Sequence, residues 1–123
     1  MKLLLDTHIF LWWDFRPKAL SDRFSEAIRD KRNVVFVSVA TIWEISIKRA
    51  TGKLNFSTSI VDAIERHGFQ SLSITAGDAE WAGNLPLLHR DPFDRVLVAQ
   101  AQRGGMKLLT VDEKIQLYDV SLM

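Results

Sequence analysis

"KLLLDTH", Lys2 to His8, is an apolar run that stops on a carboxylate, Asp6. "MKLLTVDE", Met106 to Glu113, does the same near the other end of the chain, with Asp112 as the acid. Each run is short, rich in leucine and without an alternating polar face, as a strand buried on both sides of a sheet requires. "VVFVS", Val34 to Ser38, and "FQSLSI", Phe69 to Ile74, read as two further strands, and "DVSLM", Asp119 to Met123, as a short fifth. The segments between them carry helix punctuation. Ser21 can cap a helix running to about Arg32. Ser38 can cap one that Gly52 stops, and Thr58 to His67 fits a helix closed by Gly68. Thr75 with Asp78 forms a capping-box variant. Asp91-Pro92 is a start signal, Asp91 as cap and Pro92 at the first helical position, for a helix that ends at Gly104-Gly105. Strands alternating with helices through short connections predict an α/β fold with a parallel sheet covered on both faces.

The bulk properties bound the rest. A chain of 123 residues is expected to form one domain over residues 1–123. A net charge of +1 points neither toward nor away from nucleic acid. The chain has no cysteine, which excludes disulfides and thiolate metal sites and is compatible with a reducing cytoplasm. No apolar run approaches the roughly 20 residues of a membrane span. Asp6 and His8 interrupt the first apolar stretch, so it does not read as a signal peptide.

In open parallel sheets, sites form beyond the carboxyl ends of the strands, where the strand order reverses. Asp6 and Asp112 both lie there, and if their strands are neighbours the two acids share one crevice. The ordinary alternative is that each caps the helix after it. Two further acids join the question. Glu44, in "TIWEISIK", has an ordinary partner in Lys48 four residues on. Asp94, in "HRDPFDRVLVAQA", is the third residue of its helix, where a carboxylate favours the positive helix end. That helix is apolar almost all round, and a carboxylate that opens a buried helix needs a partner.

Taken in order, "LLLDTHIFLW", "VSVATIWEISIK", "HRDPFDRVLVAQA" and "LLTVDEKI" resemble a PIN-domain ribonuclease, and more closely the VapC-like toxins of type II toxin–antitoxin pairs. Each block alone is weak; the four in order, spanning nearly the whole chain, are specific. The stretch from about Asn55 to Leu88 adds little to the likeness. The resemblance implies a three-layer α/β/α sandwich with a five-stranded parallel sheet. It implies a metal-dependent endoribonuclease, a homodimer and a small antitoxin partner. The family's four acids fall on Asp6, Glu44, Asp94 and Asp112, the last in a Thr-x-Asp pattern begun by Thr110. That last position varies in the family, and here it is a carboxylate.

The chemistry is coherent with that reading. Carboxylates crowded in one crevice repel one another, and a cation relieves the repulsion. Oxygen ligands without cysteine point to Mg²⁺ or Mn²⁺ rather than Zn²⁺. Asp6 is expected as the central ligand, Asp94 and Asp112 as further ligands, and Glu44 as a ligand or as a base for the attacking water. An acidic pocket that receives RNA needs a basic rim, and Arg90 and Arg95 are the candidate phosphate contacts, with Lys48 and Arg49 weaker ones and Thr110 a further candidate substrate contact. The ordinary alternative for all four basic residues is a solvated surface charge. His8 and His89 lie near these acids without the spacing of a zinc site, and His8 reads as packed or hydrogen-bonded. Trp12, Trp13 and Trp43 are either stacking platforms or core and interface residues. Two other classes stay open. One is a phosphoryl-transfer domain with Asp at a strand end, such as a receiver or a haloacid-dehalogenase-type phosphatase; the latter needs a second Asp where this chain has His8. The other is a catalytically inactive PIN-fold module that binds RNA or protein, against which the complete quartet argues.

Overall fold

Strand β1, Lys2–Leu5, is the element around which the chain winds. A computed structural model describes residues 1–123. In it β1 pairs in parallel with β2, Val34–Ser38, on one side and with β4, Lys107–Leu109, on the other. The third strand, β3, Gln70–Leu72, adds outside β2, so the order is β3-β2-β1-β4. The chain moves outward from β1 through β2 to β3 and then returns to the far side of β1. The order therefore reverses between β1 and β4.

The leucines of β1 are fully buried and divide between the two faces. Leu3 and Leu5 belong to one core cluster and Leu4 to the other. Over the first face lie helices α1 (Thr7–Phe15), α2 (Asp22–Arg29) and α4 (Ile60–Arg66), which contribute Ile9, Phe10, Phe24, Ile28 and Ile64. Over the second lies α6, Pro92–Gly104, with Leu97, Val98 and Ala101, and α5, Ala76–Asn84, packs against α6. Helix α3, Val39–Ala50, feeds both clusters, through Ile45 and Ala40. This is the α/β/α sandwich expected from the alternation of strands and helices.

The helix signals act as the residue types dictate. The Ser21, Ser38, Ser59 and Thr75 side chains each accept a backbone N–H of the first turn that follows, and Thr75 with Asp78 completes a capping box. Asp91 caps α6 with Pro92 behind it. Gly105, at φ 63°, closes α6 in the left-handed conformation that a side chain would resist.

One expectation is corrected. The sheet has four strands, not five. The segment "DVSLM" reaches β4 only through a single parallel bridge between Leu108 and Leu122, with two backbone hydrogen bonds, Leu108 N to Ser121 O and Met123 N to Leu108 O. Val120 N is turned back onto Tyr118 O, so the residues before Leu122 follow a turn rather than the edge of β4. No helix is long and apolar enough to cross a membrane.

Candidate active site

The reversal between β1 and β4 sets the position of the first acid. Leu5 is in register with Leu109, and Asp6 N donates to Leu109 O at 3.1 Å, so Asp6 emerges beside Thr110. Asp6 is 3% exposed. Its Oδ1 accepts from Ile9 N at 2.8 Å, capping α1, and its Oδ2 accepts from the Thr110 hydroxyl at 2.5 Å. Thr110 Oγ1 in turn accepts from Asp112 N at 3.0 Å. One hydroxyl thus ties the end of β1 to the loop after β4. Burial pushes the Asp6 carboxyl above its ordinary range; the bonds from Thr110 and Ile9 and the nearby His8 work against that, and Asp112 adds to it.

Glu44 comes from α3 and is buried. Its Oε1 accepts from the Thr7 hydroxyl at 2.7 Å, and Thr7 also meets the Thr41 hydroxyl at 3.0 Å. Its Oε2 is held by Lys48 Nζ at 2.6 Å. The ordinary helical pair and a buried, oriented carboxylate are therefore the same group.

Asp94 lies in the first turn of α6. The cap is Asp91, whose Oδ1 accepts from Phe93 N at 2.8 Å and Asp94 N at 3.1 Å. Asp94 is left to point elsewhere, and its Oδ2 meets His89 Nε2 at 2.8 Å. The same Nε2 lies 3.9 Å from Asp112 Oδ2. Asp112 caps the turn after it, its Oδ1 accepting from Lys114 N at 2.8 Å and Ile115 N at 3.0 Å. Burial, then the charges of Asp91 and Glu44, push the Asp94 carboxyl up to about 7, against the pull of His89.

His89, Asp94 and Asp112 each offer a ligand atom, all within 4.8 Å of one another. Asp6 adjoins Asp112 through Thr110, and Glu44 acts electrostatically on Asp94. The fold therefore brings the four acids to one end of the sheet. The tightest three-group cluster contains His89 in place of Asp6 and Glu44. His89 has no role assigned from the sequence alone, and its position directly before the "RDPFD" turn is the signal that the chain offers. The donor set, carboxylate-rich with one imidazole and no sulfur, suits a hard divalent cation such as Mg²⁺ or Mn²⁺. A neighbourhood of burial and like charge that pushes the Asp94 carboxyl up is one that a cation would relieve.

The expected basic rim is arranged differently. Arg90 is exposed between His89 and the Asp91 cap. Arg95 is instead turned into the protein, where its guanidinium donates to the carbonyls of Ala82, Leu85, Pro86 and His89 at 2.8 to 3.2 Å and to the Tyr118 hydroxyl at 3.1 Å. It lies one residue past Asp94, about 100° around the helix, and so faces away from the acids. Thr110 is likewise engaged with Asp6 and Asp112. Lys48 is paired with Glu44, and Arg49 donates to Phe56 O and Thr58 O. His8 is exposed rather than packed, its ring 6.0 Å from that of Trp12.

A parallel α/β sandwich with acids beyond its strand ends, where the strand order reverses, has them where sites form in open parallel sheets. Within that class of fold the chain belongs to the PIN-domain family, whose profile matches residues 3–121. It is 26% identical over 117 residues to ribonuclease VapC22 of Mycobacterium tuberculosis, covering 93% of this chain and 89% of that protein. Among solved structures it is similar to VapBC2 of Rickettsia felis bound to a DNA fragment from its promoter, with a TM-score of 0.73 and 14% identity over 100% of this chain and 98% of that one. VapBC-1 of nontypeable Haemophilus influenzae gives a TM-score of 0.67 and 21% identity over 100% and 97% of the two chains. At those identities the structural likeness is one of fold.

The raised Asp94 carboxyl makes stability depend on pH in the metal-free protein. Between the ordinary value of 3.8 and about 7 the folded chain keeps a proton that the unfolded chain has lost, so stability falls as pH rises through that window. Asp94→Asn should flatten this decline and raise the thermal midpoint in EDTA on its alkaline side. Asp91→Asn should change the midpoint little, because Asn caps about as well as Asp. Thermal melts of the three proteins across that pH range check both statements; a lower midpoint for Asp94→Asn on the alkaline side would contradict them.

Proposed function

We propose that the protein is a Mg²⁺- or Mn²⁺-dependent endoribonuclease that hydrolyses RNA phosphodiester bonds, the toxin of a toxin–antitoxin pair acting in the cytoplasm, with residues 1–123 as a single nuclease domain. The observation that carries the reading is the gathering of Asp6, Glu44, Asp94 and Asp112 beyond the carboxyl ends of β1 and β4. Membership of the PIN family and the likeness to ribonuclease VapC22 support it.

Asp6, Asp94 and Asp112, with His89 beside them, would hold the cation. When bound, a divalent cation supplies charge neutralisation and Lewis acidity for attack of water on phosphorus. Asp6 arrives with both oxygens oriented, one by Ile9 N and one by Thr110, so little order is lost on binding. Glu44, held by Thr7 and Lys48, would accept a proton from the attacking water. Arg90 is the remaining candidate for a phosphate contact. The phosphoryl-transfer alternative has less support, because it leaves Glu44 and Asp94 without a task.

Two partners follow from this reading. A small antitoxin would cover the acidic crevice, a basic side chain of its own meeting the carboxylates. A second copy of the chain would pack on α3, where Val39, Trp43 and Ile47 recur at four-residue spacing and are 36%, 60% and 41% exposed. Trp43→Glu should then turn a dimer into a monomer by light scattering, and an unchanged mass would remove α3 from the interface.

Purified protein should cut single-stranded RNA in Mn²⁺ or Mg²⁺ and stop in EDTA. Asp6→Asn should lower the rate with the fold retained, by more than the about 10–100-fold that losing a group behind a metal ligand costs. The cognate antitoxin should block cleavage by wild type. Undiminished cleavage in EDTA, or equal rates for wild type and Asp6→Asn, would sink the metal mechanism.

A further inference from the structure

The loop from Leu85 to Asp91 joins α5 to α6 and carries His89 into the acid cluster. Beyond Leu85, which packs against the second-face core, its leucines give little anchorage, since Leu87 is 73% exposed and Leu88 44%. A polar hub holds it instead. The Tyr118 hydroxyl donates to Pro86 O at 2.7 Å and accepts from Leu88 N at 3.2 Å and His89 N at 3.0 Å. Arg95 Nη1 reaches the same hydroxyl, Pro86 O and His89 O, and Nη2 reaches Ala82 O and Leu85 O. The Tyr118 ring is 5% exposed and belongs to the core cluster that contains Leu97 and Ile115. The loop is thus pinned to the core of the second face at the residue that bears the imidazole.

We infer that Tyr118 and Arg95 are positioning residues for the metal site, acting through His89, whose Nε2 they hold 2.8 Å from Asp94 and 3.9 Å from Asp112. The inference rests on the metal-dependent reading above and adds residues that neither touch the cation nor line the acid cluster. The imidazole is the side-chain partner of Asp94, and of Asp6, Asp94 and Asp112 only Asp94 makes no cap. Asp6 and Asp112 are oriented by backbone N–H groups close to them in sequence, so their geometry survives loosening of this loop. Asp94 depends on His89, His89 on its backbone, and that backbone on one hydroxyl and one guanidinium from elsewhere in the fold. Groups that orient a ligand without binding metal change metal affinity by about 10–100-fold when they are removed.

The test measures Mn²⁺ binding to the purified protein by the electron paramagnetic resonance signal of free Mn²⁺, with no RNA present. Tyr118→Phe keeps the ring in the core and removes only the hydroxyl. It should weaken Mn²⁺ binding by on the order of 10-fold with circular dichroism unchanged. Arg95→Lys, which cannot span the same carbonyls, should do likewise. His89→Ala should weaken binding to a similar degree, and on that background neither Tyr118→Phe nor Arg95→Lys should weaken it further. Multiplying losses in the double variants, or wild-type affinity in both folded single variants, would overturn the positioning role. A wild type that binds no Mn²⁺ would overturn it too and would remove the metal reading beneath it.

Discussion

The register of β1 against β4 is the constraint on which the site depends. Leu5 opposite Leu109 places Asp6 next to Thr110, and the Thr110 hydroxyl then bridges the Asp6 carboxylate and the Asp112 backbone. A slip of one residue would turn every side chain of β4 to the opposite face. It would also bring Lys107 or Thr110 to a position that Leu108 or Leu109 now fills, fully buried, in one of the two cores. Packing of the hydrophobic layers therefore fixes the separation of two acids that make no contribution to that packing.

Capping and site-building are carried out by the same groups. Asp6 caps α1 with one oxygen and receives Thr110 with the other. Asp112 caps a turn with Oδ1 and presents Oδ2 toward His89. Glu44 makes its helical pair with Lys48 and still turns an oxygen to Thr7. Of the three aspartates among these acids, only Asp94 is spared a cap, because Asp91 takes that task three residues earlier. It is also the acid whose carboxyl is pushed up to about 7, since it has burial and like charge without backbone donors to offset them.

Much of this was legible in the chain because it is local. The apolar runs ending at Asp6 and before Asp112, the Asp91-Pro92 start and the Thr75–Asp78 box depend on neighbours within a few residues, and the structure has them. Asp6 and Asp112 both cap, and each has a second carboxylate oxygen outside its cap. His89 and Arg95 could not be read because their roles depend on Tyr118, which lies 29 residues from His89 and 23 from Arg95. Adjacency to Asp94 made Arg95 look like a phosphate contact, whereas helical geometry turns the next residue away. The fifth strand failed for a related reason: a short β-prone segment pairs only as far as its approach to the sheet edge allows, and here that is one residue, Leu122.

The central claim is that these acids are gathered to hold a divalent cation. A crystal of the protein grown with Mn²⁺, measured for anomalous scattering at the manganese edge, tests it most directly. The account predicts a peak in the crevice in contact with carboxylate oxygens of Asp6, Asp94 and Asp112. No peak there at saturating Mn²⁺, with His89 still bonded to Asp94, would contradict it.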